Sequence, residues 1–442
     1  MKHEKVKTIS LFSGCGGLDL GFEKEGFDIL WALDHDHCAV ETYRKNFGDR
    51  IINKDIVEVD FSKVPDCDVI LGGFPCQDFS VIWSRPGIHG QRGDLYRHFV
   101  RAVSVKQPKI FVAENVKGLL SANKGKAIKQ IMNDFESLGY RIFPHVYNFA
   151  DYGVPQFRER LVMVGIRNDI DSEFLVPEPT YGPNKKLPYV SAEKALKNVE
   201  KIKINNERMN IADKTKRMLE LIPPGGNFES IPKTSPLYVK GLISHVYRRL
   251  HKDKPSYTII ASGGGGTWTY HYSEPRPLTN RERARIQSFP DDFAFVGSVA
   301  EVRKQIGNAV PPEGVRPIAR EIRKILENHM NVSKPKKVIE NFNWMQREIK
   351  ADRHRIQLDM IDSLSKLGFP NWRGIETYSM DEINKFISEN KILSNEIKKI
   401  IKEHYKFYCN YYGKNGDLNP KMNLCEYNIH TMYSELVQKA SK

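Results

Sequence analysis

The sequence predicts an α/β fold: an open, doubly wound sheet with helices on both faces, then a smaller irregular domain and a helical C-terminal extension. Three observations predict it. Up to Ile166, short apolar runs alternate with helical stretches, the rhythm of parallel strands joined by crossover helices. Near residue 170 that rhythm breaks, and from Pro177 to Pro277 the chain is rich in Pro, Gly, Asn and Lys. Helical patterning then returns and persists into a Lys-, Asn- and Tyr-rich tail.

Taken in order, the candidate strands are Thr8–Phe12, Phe27–Leu33, Ile51–Ile52, Asp68–Leu71, Ile110–Ala113, Arg141–Phe149 and Leu161–Ile166. Helix-like stretches lie between them, among them Cys38–Phe47, Leu95–Lys106 and Lys124–Leu138. In the irregular part only isolated pieces such as Tyr257–Ala261 read as strand. Thr279–Gln287 reads as helix. After Pro311-Pro312, Val315, Ile318, Ile322 and Ile325 share one helical face. Proline suits the start of that helix, because its missing N–H would have no intrahelical partner there. The expected division is 1–170, 171–276, 277–330 completing the first domain, and 331–442 as the helical extension, Asp381–Tyr408 included. No internal repeat is evident.

Composition narrows the class. The 442 residues suffice for two or three domains of about 100–200 residues. Sixty-eight Lys and Arg against 54 Asp and Glu leave a net charge of +14, which favours a polyanionic partner, nucleic acid first. A generally Lys-rich surface is the alternative. No apolar run reaches the ~18 residues of a membrane span, and the first residues pass straight into a strand without a leader's apolar core. Cys15, Cys38, Cys67, Cys76, Cys409 and Cys425 form no CxxC pair, so neither a disulfide framework nor a cysteine metal site is indicated. A reducing, cytoplasmic setting is expected, with no membrane association.

In open α/β sheets ligands bind outside the carboxyl ends of the strands. Those ends carry polar or Gly-rich residues five times over: Phe12-Ser13-Gly14-Cys15-Gly16-Gly17, Asp34, Asp55, Gly72-Gly73-Phe74-Pro75-Cys76-Gln77 and Glu114-Asn115-Val116. Glycines let a backbone approach a ligand and reach positive φ, and an acid at the second strand end can accept ribose hydroxyls. The glycine turn matches neither G-x-G-x-x-G nor a P-loop, and by itself it also reads as an ordinary tight turn. Cys76 in a turn at a strand end suits an accessible nucleophile. Glu114 reads equally as a helix N-cap partner or a surface acid. Arg158 and Arg160, two apart at a strand start, point to one face, where a phosphate, a base oxygen or a salt-bridged edge would satisfy them.

These stretches, in this order, resemble the DNA (cytosine-5)-methyltransferases, over roughly residues 7–327. Leu11–Gly17, Gly73-Phe74-Pro75-Cys76-Gln77-Asp78-Phe79-Ser80, Glu114-Asn115-Val116 and Gln156-Phe157-Arg158-Glu159-Arg160 carry the resemblance. So do Arg276-Pro277-Leu278-Thr279 through Gln287-Ser288-Phe289-Pro290, and Gln305 through Pro312. The resemblance implies a sheet that binds S-adenosylmethionine, with Phe12 against adenine, Gly14, Gly16 and Gly17 admitting the amino-acid part, Asp34 on the ribose and Asp55 on the adenine amino group. Many members have Glu where this chain has the shorter Asp34. Pro75 and Asn308 would complete the floor. Cys76 would be the nucleophile, Glu114 the group at N3 of the base, and Arg158 and Arg160 the pair near O2. Double-stranded DNA would be the substrate, its target cytosine flipped out of the helix. Gln77 and Ser80 would touch it.

Between Gln156–Arg160 and Arg276 the resemblance places the region that reads the DNA. Arg248, Arg249 and Lys252 are candidate phosphate contacts, and Gly264, Gly265, Thr267 and Trp268 a groove-approaching loop or a plain flexible turn. The expected setting is a restriction–modification system, with a monomeric enzyme functionally paired to a cognate endonuclease. A tRNA cytosine-5 methyltransferase is the first rival, and the large recognition region speaks against it. A DNA-binding regulator without activity would be expected to have lost Cys76, Glu114 or the glycine turn. An N4-cytosine or N6-adenine enzyme would carry an Asp/Asn/Ser-Pro-Pro-aromatic motif at this strand end. Residues 331–442 fall outside the resemblance.

Overall fold

The computed structural model describes residues 5–75, 95–238, 246–261 and 269–332. The chain divides into two compact units, residues 1–136 with 140–334, and residues 137–139 with 335–442. The sheet and the site belong to the first. The expected extension beyond Val332 lies outside the described residues.

Seven strands form one sheet: β1 (Val6–Leu11), β2 (Phe27–Asp34), β3 (Ile51–Asn53), β4 (Val69–Gly72), β5 (Ile110–Val116), β6 (Tyr140–Asn148) and β7 (Glu159–Arg167). Their spatial order is β3-β2-β1-β4-β5-β7-β6. The order reverses between β1 and β4, which opens a crevice at their carboxyl ends. The expected sheet was parallel throughout; β7 instead runs antiparallel to both β5 and β6. A short turn through Phe149–Tyr152 returns the chain beside β6, and no crossover helix intervenes. That reversal brings the start of β7 to the ends of β4 and β5, with Arg160 opposite Val116.

Alternation along each strand sends neighbouring side chains to opposite faces. On β5, Ile110 and Val112 enter a core shared with α1 (Gly17–Glu23) and α9 (Pro312–Val332). Phe111 points the other way, into a ring cluster with Phe99 of α3 (Leu95–Lys106), Phe135 of α4 (Lys126–Ser137) and Tyr140. Gly165 makes room for it: a Cβ there would sit 2.0 Å from the Phe111 ring. The stripe Val315, Ile318, Ile322 and Ile325 is buried, each such side chain contributing about 1.5–3 kcal/mol. The segment after Pro312 thus folds back onto the first domain, against α1 at Gly21, whose added Cβ would meet Val315 at 2.4 Å.

A second core joins α2 (His37–Phe47) to α5 (Ala192–Leu196), α7 (Asn280–Ile286) and α8 (Val299–Asn308). Thr42 helps to hold them, donating to Gln305 Oε1 at 2.6 Å and accepting from the Val296 amide at 2.8 Å. A reciprocal capping box starts α7, between Thr279 and Glu282. Residues 171–276 carry a small core of their own around α6 (Asp213–Glu220), with Met218, Leu219, Ile222, Phe228, Ile231, Val246 and Tyr270. Tyr257–Ala261 forms no regular strand; Ser256 makes only an isolated bridge to Gln156. Among the described residues no helix is long and apolar enough to cross a membrane.

Candidate active site

At the end of β1 the chain turns sharply: Phe12, Gly14 and Gly16 all have positive φ, at 54°, 55° and 90°. For phenylalanine that conformation is strained, and such strain marks a position held by its surroundings. The Asp34 carboxylate is one such hold, accepting from the amides of Gly14 and Asp36, each at 2.8 Å. Burial raises its pKa, opposed by those two hydrogen bonds. The three glycines differ. A Cβ on Gly16 would lie 2.3 Å from the Phe47 ring, and one on Gly17 2.3 Å from the Val310 carbonyl oxygen, so both serve close packing. Only at Gly14 would a Cβ meet nothing within 4 Å. The turn therefore leaves open space at Gly14, where a ligand can approach the backbone. Asp55 is exposed and caps the short 3-10 turn Ile56–Glu58, accepting from the Val57 amide at 3.0 Å.

Beneath the turn lies a group that the sequence reading missed. Asp19, fully buried in the first turn of α1, accepts from Ser10 Oγ and from the Tyr43 hydroxyl, both at 2.7 Å. Ser10 in turn meets Ser13 Oγ at 3.0 Å. Burial pushes the Asp19 pKa up to about 6. Its only sequence signal is an acid three residues past a helix cap, a common arrangement at helix starts.

The end of β4 meets the end of β5. Gly73 lies beside Glu114, whose Oε2 would be 3.0 Å from an added Cβ. Asn115 donates to the Phe74 carbonyl at 2.9 Å and so fixes the backbone two residues before Cys76. Pro75 is exposed at the end of this stretch. Cys76, Gln77 and Ser80 lie outside the described residues. Glu114 is mostly buried and pairs through Oε1 with Arg160 Nε at 3.1 Å. Burial raises its pKa; Arg160 and Arg158 oppose that and do not cancel it.

The two arginines part company. Arg160 turns to Glu114, whereas Arg158 is buried just ahead of β7, its guanidinium donating to the carbonyls of Ile259, Gly307 and Ala309 at 2.9–3.1 Å. Burial lowers the Arg158 pKa to about 9. Next to it, Gln156 donates to Gln287 Oε1 at 2.8 Å and accepts from the Ile259 amide at 2.8 Å. Asn308, the last residue of α8, is exposed.

Of the candidate DNA contacts, Lys252 is exposed, and Arg248 lies over the Tyr257 ring, 4.0 Å from its centroid. Arg249 needs correction. It is buried and spends four of its five N–H donors on the carbonyls of Leu219, Ile222, His271 and Tyr272, so it is held inside the loops and not presented to a phosphate. An arginine that ties loop carbonyls together looks in sequence like any other. Gly264, Gly265, Thr267 and Trp268 lie outside the described residues.

Residues 6–324 match the C-5 cytosine-specific DNA methylase family. The chain belongs to that family. It is thus a DNA (cytosine-5)-methyltransferase, and S-adenosylmethionine is its methyl donor. Among its relatives is the type II methyltransferase M.NgoFVII of Neisseria gonorrhoeae, 59% identical over 342 residues, or 76% of this chain and 91% of that protein. The type II methyltransferase M.BbvI of Brevibacillus brevis is 44% identical over 72% of this chain and 91% of its own length. In fold the methyltransferase is similar to the crystal structure of S. pombe Dnmt2 methyltransferase, with a TM-score of 0.51 at 18% identity, over 73% of this chain and 99% of that one.

The residues present fit that cofactor. Gly14 offers a backbone open to close approach, Asp34 a carboxylate at the end of β2, and Phe12 a half-buried ring in the same turn. In the methyltransferase Asp34 braces the glycine turn, a contact that the sequence reading did not foresee. Asn115 and Gln156 stood inside recognised motifs, but their partners are carbonyls and amides far along the chain, which no local pattern reveals.

Proposed function

We propose that the methyltransferase acts on a flipped cytosine in a short duplex sequence through a covalent bond from Cys76 to C6, as the modification enzyme of a cytoplasmic restriction–modification system. The observation that carries this reading is Glu114: a buried carboxyl whose pKa burial raises, oriented by Arg160 and lying beside Gly73, which is three residues from Cys76. The relatives named type II methyltransferases support the setting, and a net charge of +14 supports a DNA substrate.

Cytosine C5 is too weak a nucleophile to be methylated directly. The Cys76 thiolate adds to C6, and the C5–C6 π pair moves into the ring. Glu114 gives its proton to N3 and so neutralises the charge that develops there. Arg160 orients Glu114 and faces the O2 side of the base. Phe12, Gly14 and Asp34 would hold S-adenosylmethionine, which when bound would supply an electrophilic methyl group for C5, its sulfonium sulfur keeping the bonding pair as the thioether leaves. A water acting as base takes the C5 proton, the electron pair of the C5–H bond re-forms C5=C6, the Cys76 sulfur leaves as thiolate, and the N3 proton returns to Glu114. Each difficult displacement is thereby divided into easier steps. The described cysteines are poor candidates for the thiolate: burial pushes Cys15 and Cys67 up to about 12, and Cys38 is raised by its hydrogen bond to Glu301.

The test is bisulfite sequencing of unmethylated genomic DNA after incubation with the protein and S-adenosylmethionine, beside Cys76→Ser. Protected cytosines in one short context, absent with Cys76→Ser, are expected. Full methylation by Cys76→Ser would remove the covalent step, and no protection by the wild-type protein would remove the DNA reading.

A further inference from the structure

Arg158 is among the largest fully buried side chains, yet it carries a charge. No carboxylate of the described residues forms an ion pair with it; Glu114 is taken by Arg160. Three backbone carbonyls hold it, and its Nε has no partner among the described residues. A buried, incompletely satisfied guanidinium is costly, and an apolar side chain of similar volume would fill the space at lower cost. What the guanidinium alone can do is bridge. Its Nη1 holds Ile259, three residues ahead of the run Ser262-Gly263-Gly264-Gly265-Gly266. Its Nη2 holds Gly307 and Ala309, the residues on either side of Asn308.

The two segments it bridges also touch directly. A Cβ on Gly307 would lie 2.3 Å from the Ala261 amide nitrogen, so the backbones are in van der Waals contact. Amide groups reinforce the bridge on both sides: Gln156 accepts from the Ile259 amide, and Gln287 donates to the Ile306 carbonyl at 2.6 Å. Ile259 is thus gripped at N–H by Gln156 and at C=O by Arg158; Arg158 also grips the end of α8, and Gln156 is linked to it through Gln287. Neither segment can shift without moving the other's hydrogen-bond partners.

We propose that Arg158 is a positioning residue that couples occupancy of the cofactor site to DNA recognition. It does so by tying the Asn308 turn to the segment leading into the glycine-rich run. This rests on the reading above, in which Asn308 belongs to the cofactor floor and the glycine-rich run to the DNA-reading region. Arg160, not Arg158, is then the arginine that faces the base. Coupling of this kind is reciprocal, so each ligand must strengthen the other's binding by the same factor.

The experiment measures duplex DNA binding by the full-length protein, by fluorescence anisotropy, with and without saturating S-adenosylhomocysteine. The duplex carries a site that the wild-type protein methylates. Wild type is expected to bind about tenfold more tightly with S-adenosylhomocysteine present. Arg158→Lys keeps the charge but cannot fork to three carbonyls. Its ratio is expected to fall below about twofold, while its affinity for S-adenosylhomocysteine alone changes less than about threefold. Gln287→Leu cuts the same linkage elsewhere and is expected to lower the ratio as well, which keeps the test decisive should Arg158→Lys fail to fold. A wild-type ratio near one, or an undiminished ratio in the folded variants, overturns the coupling and leaves the methylation reading intact. Loss of wild-type methylation itself would instead strike at that reading.

Discussion

At the scale of single residues, Glu114 shows how position makes an acid. An exposed glutamate is ionised at neutral pH and has no proton to offer. At the end of β5, enclosed beside Gly73, burial raises its pKa, while Arg160 keeps it oriented and limits the rise. Glu114→Gln retains the shape and loses the transferable proton. The methyl-transfer step should slow about a hundredfold or more, with S-adenosylhomocysteine affinity changed by less than about threefold. A comparable loss of cofactor affinity would show that Glu114 serves structure instead. The sign of the pH effect follows from the same shift. In the proposed mechanism Glu114 acts in its protonated form, so the wild-type transfer rate should fall as pH rises through its raised pKa, and single-turnover rates for Glu114→Gln should lack that falling limb.

Among the elements, the turn between β1 and α1 separates two uses of glycine. Gly16 combines positive φ with a Phe47 ring 2.3 Å from where a Cβ would stand. Gly16→Ala should therefore cost about 3 kcal/mol of stability, from the backbone strain and overpacking together. At Gly14 the φ is also positive but the space is open, so Gly14→Ala should cost only about 1 kcal/mol. Its loss should appear in cofactor affinity instead, weakened about tenfold. Chemical denaturation and calorimetric titration of the two variants check this; equal stability losses would refute the distinction. The antiparallel run of β7 is the other decisive element. It alone explains why Arg160, at a strand's start, meets Glu114 near a strand's end.

For the whole molecule, the buried Asp19 connects the cofactor turn to global stability. Its pKa stands near 6 in the fold against an ordinary value of 3.8. Between those values the folded protein binds more protons than the unfolded chain, so stability falls as pH rises through that window and stays level above it. The shift corresponds to about 3 kcal/mol. Asp19→Asn carries no charge to bury. Raising the pH from 4 to 7 should therefore cost the wild type about 2 kcal/mol more than it costs this variant in urea denaturation. Parallel pH dependences for the two proteins would show that Asp19 is not the group responsible.

Across these scales, the sequence by itself determined the α/β class, seven strand positions (six within a residue or two, the fifth ending three residues short), the motifs at the strand ends and the family they belong to. It could do so because apolar periodicity and glycine-rich turns are local properties, written in consecutive residues. Only the tertiary structure decided the direction of β7, the roles of Gly16 and Gly17 in packing, and the burial of Arg249 among loop carbonyls. It also set the partners of Arg158, which lie about a hundred residues or more away, at Ile259, Gly307 and Ala309. Each of these depends on which backbone carbonyls and rings arrive from distant parts of the chain. Arginine's five donors look the same in sequence whether they face a phosphate, a carboxylate or a peptide.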